Sequence, residues 1–531
     1  MLAPSERQHM ATVATPADTL DIASLDWALT HIRRHGDTDL FPVPFEYEAL
    51  THSWPSLRRR LSEVDLSSYE ARPASRMLLP KQGFGFRVAV QLDPVDTIVY
   101  TALAYESADA IEAARIAKDQ RVACSYRFEK DPKGDLFEKS NGWDDFHARG
   151  QELATSGRFA KIVIADIADF YNQVGHHRVR NALEGAGITA LRARNVERLL
   201  MNFTGGQSRG LPVGPTASVV FSEACLTDVD LFLVRKGYVH TRYVDDFRIF
   251  CADATVAWRA LHDLTEYLYT AHRLALQSGK TRLLDVDDFV EKELIDPQHV
   301  EAATVEEKMD LLAEQASVYG EPGEDVDQYL DEVVRENLKE LFEASLRGDN
   351  PHLGLCKYLL RKGASLRSGV IREAIFENFD KLLPILREVA LYLVATTNNV
   401  FAPIVATRVL AAFAACEQSH LKFTKEWVAE LLLNRLQEIS YEDVERFIDE
   451  NAADLGVRRQ AMLAAKLKRV DWVRERKETW QNNAPWDRRA IIWSSLALSR
   501  DEMNFWLKRV QNAGDLLDTA IAEAALGVGN A

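Results

Sequence analysis

The chain has 531 residues, 47% of them hydrophobic and 27% charged, with a formal net charge of −16. That length exceeds a single core, and the composition excludes a disordered or fibrous chain, so two or three globular domains are expected. Five scattered cysteines without a Cys-x-x-Cys or Cys/His cluster exclude a disulfide framework and a zinc site, and suit a reducing cytosol. No basic-then-apolar leader and no apolar run of bilayer length is visible, so a soluble, cytoplasmic protein without a membrane partner is expected. The acidity is uneven: residues 51–250 carry 27 basic and 25 acidic side chains, residues 301–531 carry 29 and 38. The excess of acid therefore lies outside the part that carries the motifs below.

Residues 18–34 read as a helix. Phe41-Pro42-Val43-Pro44-Phe45 is too proline-rich for a helix interior. Leu78-Leu79-Pro80-Lys81 and Phe86-Arg87-Val88-Ala89-Val90 predict two short strands around the turn Gln82-Gly83-Phe84-Gly85. Lys81 and Arg87 flank that turn, where both reach an anionic ligand lying against the backbone; an ordinary basic hairpin has the same sequence. Asp93-Pro94 predicts a helix start. A polar, mobile insert is expected around residues 129–142.

The apolar run Lys161-Ile162-Val163-Ile164-Ala165 predicts a buried strand that ends in Asp166, an acid positioned by the sheet, before a helix starting near His176. A glycine loop follows, in which Gly210 and Gly214 on either side of Pro212 allow close backbone approach to a ligand. It lacks the Gly-Lys-Ser/Thr ending of a Walker loop. Residues 216–234 predict a long amphipathic helix. Residues 238–250 predict a hairpin with Asp245 and Asp246 at its tip, where two rigidly held carboxylates can share metal ions. The dipeptide alone says little, since Asp144-Asp145 and Asp287-Asp288 repeat it. A helix over 258–272 and a strand over 274–281 lead to a turn at Lys280. Helical periodicity then recurs at 305–318, 326–346, 353–362, 370–379, 382–396, 401–415, 426–437, 441–451, 458–477 and 488–507. Short loops between these segments predict antiparallel pairs stacked as a solenoid.

Taken in order, these features resemble the palm of reverse transcriptases. Asp166 with Phe170-Tyr171 is similar to their first motif, and Gly210-Leu211-Pro212-Val213-Gly214-Pro215 to the second. Tyr243-Val244-Asp245-Asp246 is similar to the third and Lys280-Thr281 to the fourth, while Leu79-Pro80-Lys81 through Arg87 resembles the fingers. The resemblance implies an α/β fingers and palm domain over 41–300, after an N-terminal lead and helix over 1–40. An all-α, HEAT-like repeat domain is expected over 301–531. It implies that Asp166, Asp245 and Asp246 hold two Mg²⁺ ions, or Mn²⁺, for phosphoryl transfer. Lys81 and Arg87 then hold a triphosphate, Tyr171 acts as a steric gate favouring dNTPs, and Lys280 serves the departing pyrophosphate.

The proline-rich stretch, the loop and the helical C-terminal half look like bacterial defence-associated and abortive-infection reverse transcriptases. That implies antiphage defence, a DNA product, a homo-oligomer, synthesis without a template and priming from a protein hydroxyl, with Tyr47 and Tyr69 as candidates. Many reverse transcriptases carry glutamine where this chain has Val213; valine neither donates nor accepts, which speaks against templated copying. The rival readings are an RNA-templated enzyme copying an associated non-coding RNA, and a non-catalytic scaffold on a decayed polymerase fold. The intact acids speak against the scaffold.

Overall fold

The computed structural model describes residues 17–83, 85–138, 142–293, 337–348, 351–436 and 441–530. Helix α1 (Ile22–His35) and helix α2 (Glu46–Ser62) flank the proline-rich stretch, and β1 (Ser75–Pro80) pairs antiparallel with β2 (Phe86–Gln91). Asp93 then caps α3 (Pro94–Ala114), its carboxylate accepting from the Val95 N–H at 3.2 Å, with proline in the first turn where no N–H is needed. Helix α4 (Gly142–Thr155) leads into β3 (Lys161–Asp166), followed by the single turn α5 (Phe170–Gln173), α6 (His176–Gly185) and α7 (Ala190–Phe203). Helix α8 (Thr216–Arg235), β4 (Val239–Tyr243), β5 (Asp246–Cys251), α9 (Ala254–Tyr267), β6 (Arg282–Asp285) and α10 (Val286–Glu293) complete this part.

The four strands form an antiparallel sheet in the order β4-β5-β3-β6. Strand β3 is central and apolar on both faces because both are covered. Val163 and Ala165, with Phe247 and Ile249 of β5, share a core with Ala257, Ala260 and Leu264 of α9. Ile162 and Phe250 face the other way, onto Leu153 of α4 and Phe289 of α10. This alternation along the pleat fixes the register and brings Asp166 opposite Asp246.

Two expectations change here. The strand expected over 274–281 is reduced to one bridge, Leu276 with Ile167, and the paired strand β6 begins after the lysine turn. Helix α8 is not amphipathic; it is buried on most sides, Glu223 and Asp230 included.

The C-terminal helices are α11 (Leu353–Ser365), α12 (Arg372–Glu377), α13 (Leu386–Thr396), α14 (Ala402–Ala415), α15 (Lys422–Glu430) and α16 (Tyr441–Glu450). They continue as α17 (Ala452–Lys466), α18 (Val470–Lys477), α19 (Pro485–Ser494), α20 (Arg500–Ala513) and α21 (Leu516–Asn530). The expected helices over 458–477 and 488–507 each break in two, the first at Lys468, where φ is +53°. Helix α21 escapes the periodicity reading; Asp515 starts it, accepting from the N–H groups of Leu517 and Asp518 at 2.8 and 2.9 Å. The helix expected over 305–318 and most of that over 326–346 lie outside the described residues.

Apolar packing does not follow chain order. One core joins α1, α3, α8 and the sheet to Ala461, Ile491, Leu507 and Ile521 of the C-terminal helices. Another joins Phe41, Met77, Leu79 and Ala89 to residues 338–463. All five cysteines are buried and free. Among the described residues no helix is long and apolar enough to cross a membrane.

Candidate active site

Strand β3 ends at Asp166, and the β4–β5 hairpin turns at Val244-Asp245, because Tyr243 pairs with Asp246. Ile167 N–H donates to the Asp245 carbonyl at 3.2 Å, and Gln277 N–H to the Asp166 carbonyl at 2.7 Å, which ties strand end, turn and lysine loop together. Carboxylate oxygens of Asp166, Asp245 and Asp246 all lie within 4.8 Å of one another. Lys280 Nζ donates to Asp166 Oδ1 at 2.9 Å.

The electrostatics are those of an undercompensated acid cluster. Burial, then the charge of Asp166, pushes Asp245 up to about 6. Burial, then the charges of Asp245 and Asp166, pushes Asp246 up to about 7. For Lys280 burial opposes the charge, but the hydrogen bond and charge of Asp166 outweigh it and raise the ammonium above its ordinary value. Three carboxylates facing one ammonium form an oxygen-only donor set with surplus negative charge, which matches the preference of Mg²⁺ or Mn²⁺. Among the described residues, one other group of possible metal ligands lies as close together, His262, Asp263 and Glu266 on α9; it includes an imidazole, and Asp263 already accepts from the Tyr238 hydroxyl at 2.8 Å.

A cleft of about 1010 Å³ opens over the acids. Asp166, Asp245 and Lys280 line it, together with Lys81, Arg87, Tyr171, Val213 and Gly214. Asp246, the first residue of β5, is not part of the lining. Gly214 has φ +128°, and a Cβ there would meet Thr38 Oγ1 at 2.8 Å, so the loop passes against the N-terminal segment only as glycine.

Gly210 and Pro212, expected at the ligand, do not line the cleft. Pro212 is buried, and Gly210 anchors the loop: its N–H donates to the Val174 carbonyl and its own carbonyl accepts from His176 Nε2, both at 2.8 Å. Tyr47 and Tyr69 are also misplaced as priming hydroxyls. Both are buried in the core of α2 and α3, and the Tyr69 hydroxyl donates to Asp96.

Residues 129–138 of the insert expected to be mobile form part of a wall instead, and residues 139–141 lie outside the described residues. Phe128 bridges Phe137, and Tyr126, Asp135 and Glu138 line the cleft. Trp27 Nε1 donates to the Asp131 carbonyl at 2.7 Å. His31 holds the Gly134 carbonyl at 2.7 Å and Thr216 at 3.1 Å. Burial lowers His31 to about 4, so it works as a neutral bridge. Local sequence patterns carry no signal for these long-range contacts.

No protein-family model and no curated protein matches the chain. Among solved structures it is similar to telomerase from Candida albicans in complex with a TWJ fragment of telomeric RNA, at 13% identity over 73% of this chain and 71% of that one, with a TM-score of 0.30. It is also similar to apo telomerase from Candida tropicalis, at 10% identity, 72% and 74% coverage and a TM-score of 0.32. Candida tropicalis telomerase with a TWJ fragment gives 11%, 71%, 64% and 0.34. With superposition this loose, the functional case rests on the cleft itself.

Proposed function

We propose that this chain is a reverse-transcriptase-like polymerase that joins dNTPs by two-metal phosphoryl transfer. The carrying observation is the approach of Asp166, Asp245 and Asp246 to within 4.8 Å of one another, from two strands and one turn. Divalent ions held there supply charge stabilisation to the attacking and departing oxygens. Lys81 and Arg87, on the β1–β2 hairpin across the same cleft, bind the triphosphate. Lys280 stands ready to offset charge on the departing pyrophosphate.

The finer reading is an enzyme of bacterial antiphage defence, oligomeric, with HEAT-like C-terminal repeats, whose synthesis needs no template. Support for the last point comes from Val213, which lines the cleft without a polar side-chain atom, and from the wall made by residues 126–138. The test is purified protein with Mg²⁺ and labelled dNTPs but no added nucleic acid. Product is expected from the native chain and none from Asp245→Ala/Asp246→Ala. Product that requires a co-purified RNA favours copying of a non-coding RNA instead, and unaltered synthesis by the double variant removes the catalytic reading.

Tyr171 lines the cleft beside the acids, with its hydroxyl 3.5 Å from Ser222 Oγ. In the gate role its ring excludes a 2′-hydroxyl by contact. Tyr171→Ala is therefore expected to raise rNTP incorporation relative to dNTP by roughly tenfold to a hundredfold, the range that one pocket contact discriminates. Competition between labelled dGTP and GTP measures it; an unchanged ratio removes the gate.

A further inference from the structure

Beneath the acid turn lies a buried ionic cluster that the polymerase reading leaves unused. Glu223 and Asp230 stand two turns apart on one face of α8, and both are buried. Arg242 of β4, with 0% of its surface exposed, straddles them. Its Nε and Nη2 donate to Asp230 at 3.0 and 2.7 Å, and its Nη1 and Nη2 to Glu223 at 3.3 and 3.1 Å. The same Nη1 also donates to the carbonyl of Val244 at 2.8 Å.

From the other side, Ser125 Oγ accepts from the Val244 N–H at 2.9 Å and donates to Glu223 Oε1 at 2.6 Å. Arg115 Nη2 donates to Glu223 Oε2 at 2.9 Å. Both backbone polar groups of Val244 are thus held, and both holders are tied to Glu223.

Val244 has φ +52°. A β-branched residue takes that conformation only where its surroundings enforce it. Buried ion pairs often serve packing alone, and this one also joins α8 to the sheet. That role requires no bond to a turn, whereas here two bonds converge on the strained residue next to Asp245.

We infer that Ser125, Arg242 and Glu223 are positioning residues: they hold the Val244 turn in its left-handed conformation and so fix the Asp245 carboxylate against Asp166. The inference rests on the reading of the acids as a divalent-cation site, and its test separates the two.

Arg242→Met removes the cation that Glu223 and Asp230 share, leaving the buried Asp230 with His240 Nε2 at 3.2 Å and Glu223 with Arg115 and Ser125, and is expected not to fold. Ser125→Ala removes only one hydrogen bond at each end. Hydrogen exchange of peptides spanning residues 239–251 is expected to be about tenfold faster in Ser125→Ala, with the β1–β2 hairpin unchanged, as for loss of one buried hydrogen bond. Mn²⁺ affinity, measured by electron paramagnetic resonance on the whole chain, is expected to fall about tenfold in the same variant. In Ser125→Ala/Val244→Gly the Mn²⁺ affinity is expected to recover, because glycine takes positive φ unaided, while the residue 244 N–H stays without its Ser125 acceptor and its faster exchange persists. Unchanged exchange in Ser125→Ala, unchanged Mn²⁺ affinity, or no recovery with glycine each overturns the inference. If the native chain binds no Mn²⁺, or Asp245→Ala binds it equally well, the cation-site reading falls, and the exchange data still decide whether the turn is clamped.

Discussion

Asp245→Asn is expected to abolish nucleotide incorporation and, in the same protein, to raise stability at neutral pH. The acids lie within 4.8 Å of one another, and the ammonium contact is that of Lys280 on Asp166 at 2.9 Å. Burial and the charge of Asp166 hold Asp245 at about 6, against an ordinary value of 3.8. A carboxyl raised in the folded state favours folding while protonated and loses that contribution as the pH climbs through its folded value. Above about pH 6 the ionised Asp245 therefore costs stability, on the order of 2 kcal/mol after allowance for residual solvent. Asparagine keeps the shape of the protonated acid and carries no charge. Urea unfolding of metal-free protein near pH 8 should show the variant more stable by about that amount, and the difference should shrink between about pH 6 and pH 4. Mg²⁺ reverses the order, since an ion that binds only the folded native chain adds to its stability. A variant less stable than the native chain near pH 8, together with no Mg²⁺ response in the native chain, would identify the turn as a plain solvated one.

How much of this site the sequence discloses depends on how local each cause is. Asp166 and the Asp245 hairpin are legible because the continuous apolar run of β3 and the aromatic and β-branched runs of β4 and β5 deliver the acids to strand ends, and pairing does the rest. The clamp beneath them is harder to read, because Glu223 and Asp230 pass as the polar face of an amphipathic helix. A seven-residue spacing in an otherwise apolar helix, beside His240 and Arg242 two apart in a strand, is the available signal. Gly210 and Pro212 fail for another reason. Composition says that a glycine loop can approach a ligand, but not which of its peptides faces the cleft; the bonds to Val174 and His176 decide that. The wall at 126–138 depends on partners near Trp27 and His31, a hundred residues away in sequence.

The same remoteness gives Arg489→Ala a large expected loss of stability. Arg489 of α19 has 0% of its surface exposed; it donates to Asp93 at 2.6 Å and to Glu46 at 3.2 Å, both themselves fully buried. Arg458 adds a second fork on Glu46, at 2.7 and 2.8 Å. Alanine leaves Asp93 without this partner and Glu46 with one, and removing one member of a buried pair typically costs about 3–5 kcal/mol. The damage should reach the cleft as well. Asp93 caps α3 just after β2, and Met77, Leu79 and Ala89 of the hairpin pack into the core of the C-terminal helices. Gln82 Nε2 of the hairpin turn donates to the Pro351 carbonyl at 2.7 Å, and Trp486 Nε1 donates to the Pro73 carbonyl just before β1 at 3.4 Å. The C-terminal helices are therefore part of the support of Lys81 and Arg87. Urea unfolding should show the loss directly, and at a temperature where the variant stays folded its dNTP KM should rise more than its kcat falls, because binding groups are displaced while the acids keep their own clamp. A folded variant with native KM would separate the hairpin from this ionic support.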